Sequence, residues 1–283
     1  MTGSGSGRPT AALCSSCTLL TVADPVLSWR LKMARAEHHF EDLRQLVDRY
    51  RDGHHYRAVG VAPPKKRPTH WRFVLEITEP PDPQIAIVFG DFLFNVRSAL
   101  DHVAVACAPP ARKRSAGFPL YQERPEGPEA IKFESMTRGM PPEARAVIEF
   151  EQPYNLRNRS SDVRPESAEA LHALSSLQDA DKHRSMVVLV SGITNPQVQI
   201  SWAGEAMGIL TPRYVAPGEE LVRYDEIGDR IPYAEVTVDV RGVPEVAVKI
   251  SGQDDFGLLR VAGGILGRVR DRVIPSLEPF ART

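Results

Sequence analysis

Apolar residues recur at every third or fourth position through much of the first half of the chain, a spacing typical of amphipathic helices. The first such pattern runs from Val26 to about Tyr50, with Asp24 as a plausible N-cap and Pro25 at the first helical position. A second pattern stops at Pro109 and Pro110 and has a very regular apolar stripe, made of Ala86, Phe89, Leu93, Val96, Leu100, Val103 and Cys107. The sequence therefore predicts two long helices, each with a buried face.

Shorter patterns fill the rest of the chain. Two short extended runs, 56–61 and 71–78, lie between the long helices and could pair as a hairpin; the second of them alternates between apolar and polar positions. The following patterns predict, in chain order, helices near 129–136 and 141–150, a loop over 151–164, and a helix from about 165 to 184. Beyond Met186, short strands are predicted at 187–190, 198–203, 235–240 and 246–251, and a last helix at 258–274 that stops at Pro275.

These elements predict an α+β fold rather than a doubly wound α/β fold. We expect an N-terminal helical bundle with a small β-hairpin, then a mainly antiparallel sheet with a C-terminal helix. We place a boundary near 190, which gives a helical module at 26–190 and a β-rich region at 191–283. Residues 1–25 are rich in Gly, Ser and Thr without a sustained period, so we expect a disordered tail there.

The charge balance excludes a global attraction to polyanions. The chain has 35 Lys and Arg against 36 Asp and Glu, a formal net charge of −1, so any polyanion site would have to be local. Candidates for such a site are the basic runs at 65–67 and 112–114 and the scattered Arg157, Arg159 and Arg164, although basic loops are more often simply solvated.

No apolar run is long enough to span a bilayer, and no convincing signal peptide is present, so we expect a cytoplasmic protein without membrane association. Three cysteines, an odd number, fit a reducing compartment better than a disulfide framework. Cys14 and Cys17 have one half of a zinc-site spacing and no second pair, so we expect neither a metal site nor a cofactor. Walker A, GxSxG and HExxH motifs are absent.

The best chemical clue is an Arg and a His five positions apart on the second predicted helix. Arg97 and His102 leave such a helix about 140° apart, so other elements must complete any site that uses both. Asp101 lies four residues after Arg97, where the two can pair, and Asn95 lies on the His102 side. This arrangement can be a structural ion pair with His102 in a polar contact, or part of a catalytic site.

The Arg-x4-His spacing on a bundle helix resembles the motif of the HEPN superfamily, many of whose members are metal-independent ribonucleases that cleave RNA. The resemblance implies that His102 is the general acid or base, that Arg97 neutralises the scissile phosphate and that Asp101 orients Arg97. It also implies a homodimer, in which two central helices supply a composite site. The chemistry is coherent, because imidazole titrates near neutral pH and guanidinium binds phosphate through a fork of donors.

A broader set of residues is similar to a widespread bacterial family of uncharacterised proteins with a GD-x-x-x-N-x-RSALDH block and a downstream DKHR. The matching segments here are GDFLFNVRSALDH at 90–102, FPLY at 118–121, QPY at 152–154 and DKHR at 181–184. This resemblance covers roughly 29–190, and it implies no particular activity.

The DKHR segment supplies further candidates, because it concentrates charged groups at the end of a predicted helix. Cations there also complement the helix dipole, which is the simpler explanation. In a site shared with Arg97 and His102, His183 would join the catalytic groups. The substrate-binding candidates would then be Asn95, Lys182, Arg184, Gln152 and Tyr154.

Two hypotheses remain open from the sequence. The chain is a HEPN-like metal-independent endoribonuclease or RNA-binding module, or it is a non-catalytic structural or interaction protein in which Arg, His and Asp residues lock a helical bundle. A basic cleft open to solvent around Arg97 and His102 would favour the first hypothesis, and a satisfied internal network would favour the second.

Overall fold

The computed structural model describes residues 25–61, 72–157, 170–178, 187–202, 205–210, 214–223, 236–249 and 256–281. The fold is α+β, as the sequence predicts. The predicted tail at 1–25, apart from Pro25, and the DKHR segment at 181–184 lie outside the described residues.

Two long helices, α1 (Pro25–Asp52) and α2 (Gln84–Cys107), pack against each other and build the main hydrophobic core. Trp29 of α1 and Phe89 of α2 are fully buried there, and the rings of Phe40 and Phe92 lie 6.1 Å apart. After α2, Ala108 is extended (φ −84°, ψ 149°), because a residue that precedes proline is disfavoured in the helical region. Both long helices confirm the predictions from apolar spacing.

Four shorter helices follow in the chain: α3 (Gly127–Thr137), α4 (Pro142–Phe150), α5 (Pro153–Arg157) and α6 (170–178). Buried residues of α3, α4 and α6 add to the same core. Proline lies in the first turn of α3, α4 and α5, where its missing N–H has no helical partner to lose. The prediction of a continuous loop over 151–164 is wrong where α5 forms. The described residues of α6 agree with the helix predicted there.

A long antiparallel ribbon of β3 (Val187–Trp202) and β6 (Thr237–Lys249) follows, with β4 (Glu205–Leu210) beside β3 and β7 (Phe256–Gly257) beside β6. The four separate short strands predicted in this region are wrong, since each pair of runs belongs to one strand. Bulges in β3 at 190–192 and 194–197 each add one residue, so the inward position shifts from Val190 to Ile193 and then to Val198.

The ribbon is shared by two hydrophobic cores. Val190 and Val248 belong to the core of the helices, whereas Val198 and Val240 belong to a second core. The other wall of the second core is an antiparallel sheet of β1 (Tyr56–Val61), β2 (Arg72–Ile77) and β5 (Glu220–Arg223). The hairpin of β1 and β2 is as predicted, and β4 and β5 were not predicted. The boundary near 190 stays a prediction, and it falls inside β3.

The chain ends in helices that return to the first core. α7 (Leu258–Arg268) continues through a π-helical turn (Val269–Val273) into α8 (Ile274–Leu277). The N–H of Ile274 donates to the carbonyl oxygen of Val269, five residues back, so Pro275 enters in the first turn of a new helix. The helical path therefore passes Pro275, where the sequence predicted a stop. Ile265 and Leu277 are fully buried in the core of α1 and α2.

Candidate functional site

α2 carries the two main candidates on opposite flanks of one surface strip. Ile87, Asp91 and Phe94 mark this strip and are exposed, while the opposite side of α2 is buried in the core. Arg97 and His102 leave the helix on either side of the strip, about 140° apart. In the described part of the chain, no hydrogen bond joins them.

Arg97 is held by groups of its own chain. Its Nε lies 3.2 Å from Asp101 Oδ2 and its Nη2 lies 3.1 Å from Asp101 Oδ1, a two-bond pair of the kind the i,i+4 spacing predicts. Nη2 also donates to the carbonyl oxygen of Phe118 at 2.6 Å. The Arg97 side chain is 20% exposed and that of Asp101 is 37% exposed, so the pair lies at the edge of the bundle.

The same pair fixes the segment that follows α2. The backbone N–H of Phe118 donates to Asp101 Oδ1 at 3.0 Å, so Phe118 is bonded to both partners through its N–H and its C=O. Gly117 lies so close that an added Cβ would be 3.4 Å from Asp101 Oδ1. Arg97 and Asp101 therefore act together as a clamp on the backbone at 117–118.

Gln152 holds the next residues of this segment. Its side chain is fully buried, Oε1 accepts from the N–H of Tyr121 at 3.0 Å, and Nε2 donates to Pro119 O at 2.8 Å and to Ile148 O at 2.9 Å. Three hydrogen bonds use most of what a primary amide can form. The structure thus places Gln152 in a support for the 118–121 segment, with little of its amide left for a ligand.

Tyr154 also bonds inside the fold. Its hydroxyl donates to Glu149 Oε1 at 3.0 Å, and the guanidinium of Arg124 lies 5.4 Å from the centre of its ring. Burial, and then the hydrogen bond to the Glu149 carboxylate, raise the pKa of Tyr154. The neutral phenol is therefore retained at any physiological pH.

Asn95 is 8% exposed and donates from Nδ2 to the carbonyl oxygen of Asp91 at 2.8 Å, one helical turn back. Such local side-chain bonds are common for Asn within helices. The side chain of Asn95 therefore serves α2 itself in this structure.

His102 differs from these residues. It is partly buried, and its Nδ1 is buried without a hydrogen-bond partner among the described residues. An unpaired buried polar atom costs about 1–3 kcal/mol, so such an atom calls for an explanation. The other predicted partners, Lys182, His183 and Arg184, lie outside the described residues.

One buried ion pair was missed by sequence reasoning. Glu151 Oε2 accepts from Arg268 Nη2 at 2.6 Å and from Nε at 2.9 Å, with side chains only 6% and 9% exposed. Burial raises the pKa of Glu151, and the Arg268 guanidinium opposes that shift. The two residues are far apart in sequence, so no local pattern could have paired them.

Within the described ranges, no group of three His, Cys, Asp or Glu side chains could hold a metal ion. No helix in these ranges combines the length and apolarity needed to cross a bilayer. A pocket of about 470 Å³ lies on the polar face of the ribbon, lined by residues of β3, β4 and β6 such as Gln199, Gly208 and Asp239. It includes none of the predicted site residues.

Comparison of the chain with family models, with curated protein sequences and with solved structures found no match. The resemblances to the HEPN superfamily and to the GD-x-x-x-N-x-RSALDH proteins therefore depend on the quoted residues alone, and they stay predictions.

Proposed function

We propose that this chain is a non-catalytic interaction protein, in which the polar side chains of α2 and of the 149–155 segment lock the helices to the backbone at 117–121. The observation that carries this proposal is that Arg97 already donates hydrogen bonds to Asp101 and to the backbone of Phe118. A guanidinium has five N–H donors and binds phosphate through two parallel donors on one edge. The Nε–Nη2 edge holds Asp101 and the other Nη2 donor holds Phe118, so no complete edge remains for a phosphate.

Stability and cleavage together test this proposal. Arg97→Ala and Asp101→Ala should each lower the free energy of unfolding by about 1–3 kcal/mol, because the first removes the donor to the carbonyl oxygen of Phe118 and the second removes the acceptor of its N–H. The double variant should lose less than the sum of the two, since the residues act as one clamp. Urea denaturation measures all three, and the wild-type protein should not cleave RNA in the presence of a chelator. A folded Arg97→Ala variant that abolishes a wild-type cleavage activity would contradict the proposal.

A second candidate function is the HEPN-like metal-independent ribonuclease or RNA-binding module, working as a homodimer in the cytoplasm. What favours it is His102, whose imidazole lies beside the exposed strip and whose buried Nδ1 has no hydrogen-bond partner among the described residues. Ile87 and Phe94, each 59% exposed on the same strip, are the residues that a second copy would cover. Arg97 would have to leave Asp101 or Phe118 before it could bind a scissile phosphate.

Cleavage of RNA by purified protein in chelator tests this second candidate. Loss of activity in a folded His102→Ala variant, with activity retained in His38→Ala, would support it, because His38 is an exposed histidine on α1. Equal rates in all three proteins, or no cleavage by any of them, would remove it.

A further inference from the structure

We infer that the turn after α2, Arg112 to Arg114, and the neighbouring Arg138 form a basic surface that binds the phosphodiester backbone of a nucleic acid. This inference names a partner for the proposed interaction protein. It needs no chemistry from Arg97 or His102. We call the surface formed by Arg112, Lys113, Arg114 and Arg138 the basic turn.

The backbone at 110–116, which carries three of these cations, is held by hydrogen bonds of its own. Pro110–Arg112 forms a short 3₁₀ helix, and the N–H groups of Ser115 and Ala116 both donate to the carbonyl oxygen of Arg112 at 3.0 Å. Six residues beyond Arg112, the clamp of Arg97 and Asp101 holds Phe118. A chain segment fixed at both ends presents its side chains with little further loss of backbone entropy on binding.

Folding brings a fourth cation to this turn. Gly139 has φ +81°, and an added Cβ there would lie 3.0 Å from Pro109 and 3.8 Å from Arg112 Cγ. Arg138 precedes this glycine, so its backbone lies one residue from the point where Gly139 approaches Arg112, although the two arginines are far apart in sequence. Arg112, Arg114 and Arg138 are exposed, and Lys113 is partly exposed.

These cations are not neutralised within the described part of the chain. The salt bridges found there engage other Arg residues, and none of them involves Arg112, Lys113, Arg114 or Arg138. In a protein with a net charge of −1, four adjacent cations without carboxylate partners form a local positive field.

The residues around the cations indicate the kind of partner. The exposed neighbours of these cations have neither aromatic nor long aliphatic side chains; they are Pro110, Ala111, Ser115 and Gly139. Protein interfaces depend on buried aromatic or large apolar anchors, and membrane surfaces are bound with apolar side chains that insert. Nucleic-acid backbones need only cations, and three of these four are Arg, whose fork matches a phosphate. The composition of the basic turn therefore favours a nucleic acid.

Fluorescence anisotropy with a labelled oligouridylate, and with a duplex DNA of equal length, tests the inference on the full chain. We expect at least one of the two to bind, with an affinity that falls steeply as the salt concentration rises. For four phosphate contacts, the logarithmic slope should reach about −3 with the single strand and about −3.6 with the duplex. Arg112→Glu/Arg114→Glu should weaken binding at least tenfold at low salt and flatten the slope. Arg112→Gln/Arg114→Gln, which is milder toward the fold, should weaken binding in the same direction by less.

The matched control is Arg49→Glu/Arg260→Glu, which changes the net charge equally at two exposed arginines outside the basic turn. It should bind within about twofold of the wild type, because the attraction is local. Binding of neither nucleic acid, equal weakening by the control, or equally tight binding of polyglutamate or phosphatidylserine vesicles would overturn the inference. RNA cleavage is measured separately, so these results leave the roles of Arg97 and His102 to their own tests.

Discussion

The tightest backbone approach in the ribbon occurs at Gly192, in the first bulge of β3. A Cβ at this position would collide with the carbonyl oxygen of Val215 and lie 2.7 Å from the ring of Tyr214. Gly192→Ala should therefore lower the free energy of unfolding by about 2 kcal/mol or more, since a backbone atom cannot move aside cheaply. Gly208→Ala in β4 is the control, because no heavy atom lies within 4 Å of its Cβ. Equal effects of the two substitutions in urea denaturation would contradict this reading.

A second prediction at the residue scale concerns His39, which is only 6% exposed. Burial, and then Arg35, lower the pKa of His39 below its ordinary value of 6.5, and Asp91 partly opposes the shift. As the pH falls, His39 is therefore protonated in the unfolded chain at a higher pH than in the folded protein. The free energy of unfolding then decreases as the pH drops from 6.5 through the lowered pKa. The free energy of unfolding, measured by urea denaturation, should decrease less between about pH 7.5 and about pH 5.5 in His39→Gln than in the wild type. An equal loss in both would rule out this role of His39.

At this scale, sequence reasoning found what lies within one helical turn. The spacing of Arg97 and Asp101 predicted their ion pair, which is present. The bonds of Phe118 to that pair and the three bonds of Gln152 join segments that only the fold brings together. A polar residue near a candidate site therefore looks the same in sequence whether it faces a ligand or a backbone carbonyl.

Between elements, the ion pair of Glu151 and Arg268 ties the junction of α4 and α5 to the last turn of α7. Glu151→Leu alone should lower the free energy of unfolding by about 3–5 kcal/mol, because the Arg268 charge is left buried without a partner. The double variant Glu151→Leu/Arg268→Met should recover much of that loss, since the desolvation of both charges is removed together. A full double-mutant cycle by urea denaturation measures the coupling. If the double variant loses as much free energy of unfolding as the two single variants together, the two residues are not coupled.

The helices and strands that the sequence predicts correctly are those in which the spacing of apolar residues is uninterrupted. α1 and α2 follow from regular apolar spacing, and the hairpin of β1 and β2 follows from two short extended runs, the second of which alternates. The sequence predicts two strands in place of β3 because Gly192, Asn195 and Pro196 separate its two apolar runs. The two bulges also shift the inward position twice, so a period of two cannot be followed across them. β4 and β5 are short strands whose pairing depends on partners distant in sequence, and no local pattern identifies them.

For the whole molecule, the main question is whether the helical module can stand alone. The core of α1 and α2 includes Val246 and Val248 of β6 and Ile265 and Val269 after the predicted boundary. A fragment of residues 26–190 should therefore lack a cooperative unfolding transition, because that core would be open on two sides. Circular dichroism during urea denaturation, compared with the full chain, tests this. A sharp transition in the fragment would instead support two independent modules.

The two bulges of β3 also restrict how related chains can vary in length. An insertion or deletion of one residue between Val190 and Val198 would turn every later side chain of the strand from one face to the other. Val198 and Ile200 would then point to solvent, and Gln197 and Gln199 would point into the second core. Homologues that keep this architecture should therefore place their alignment gaps elsewhere, and an odd-length gap at this point would mark a chain that folds differently beyond it.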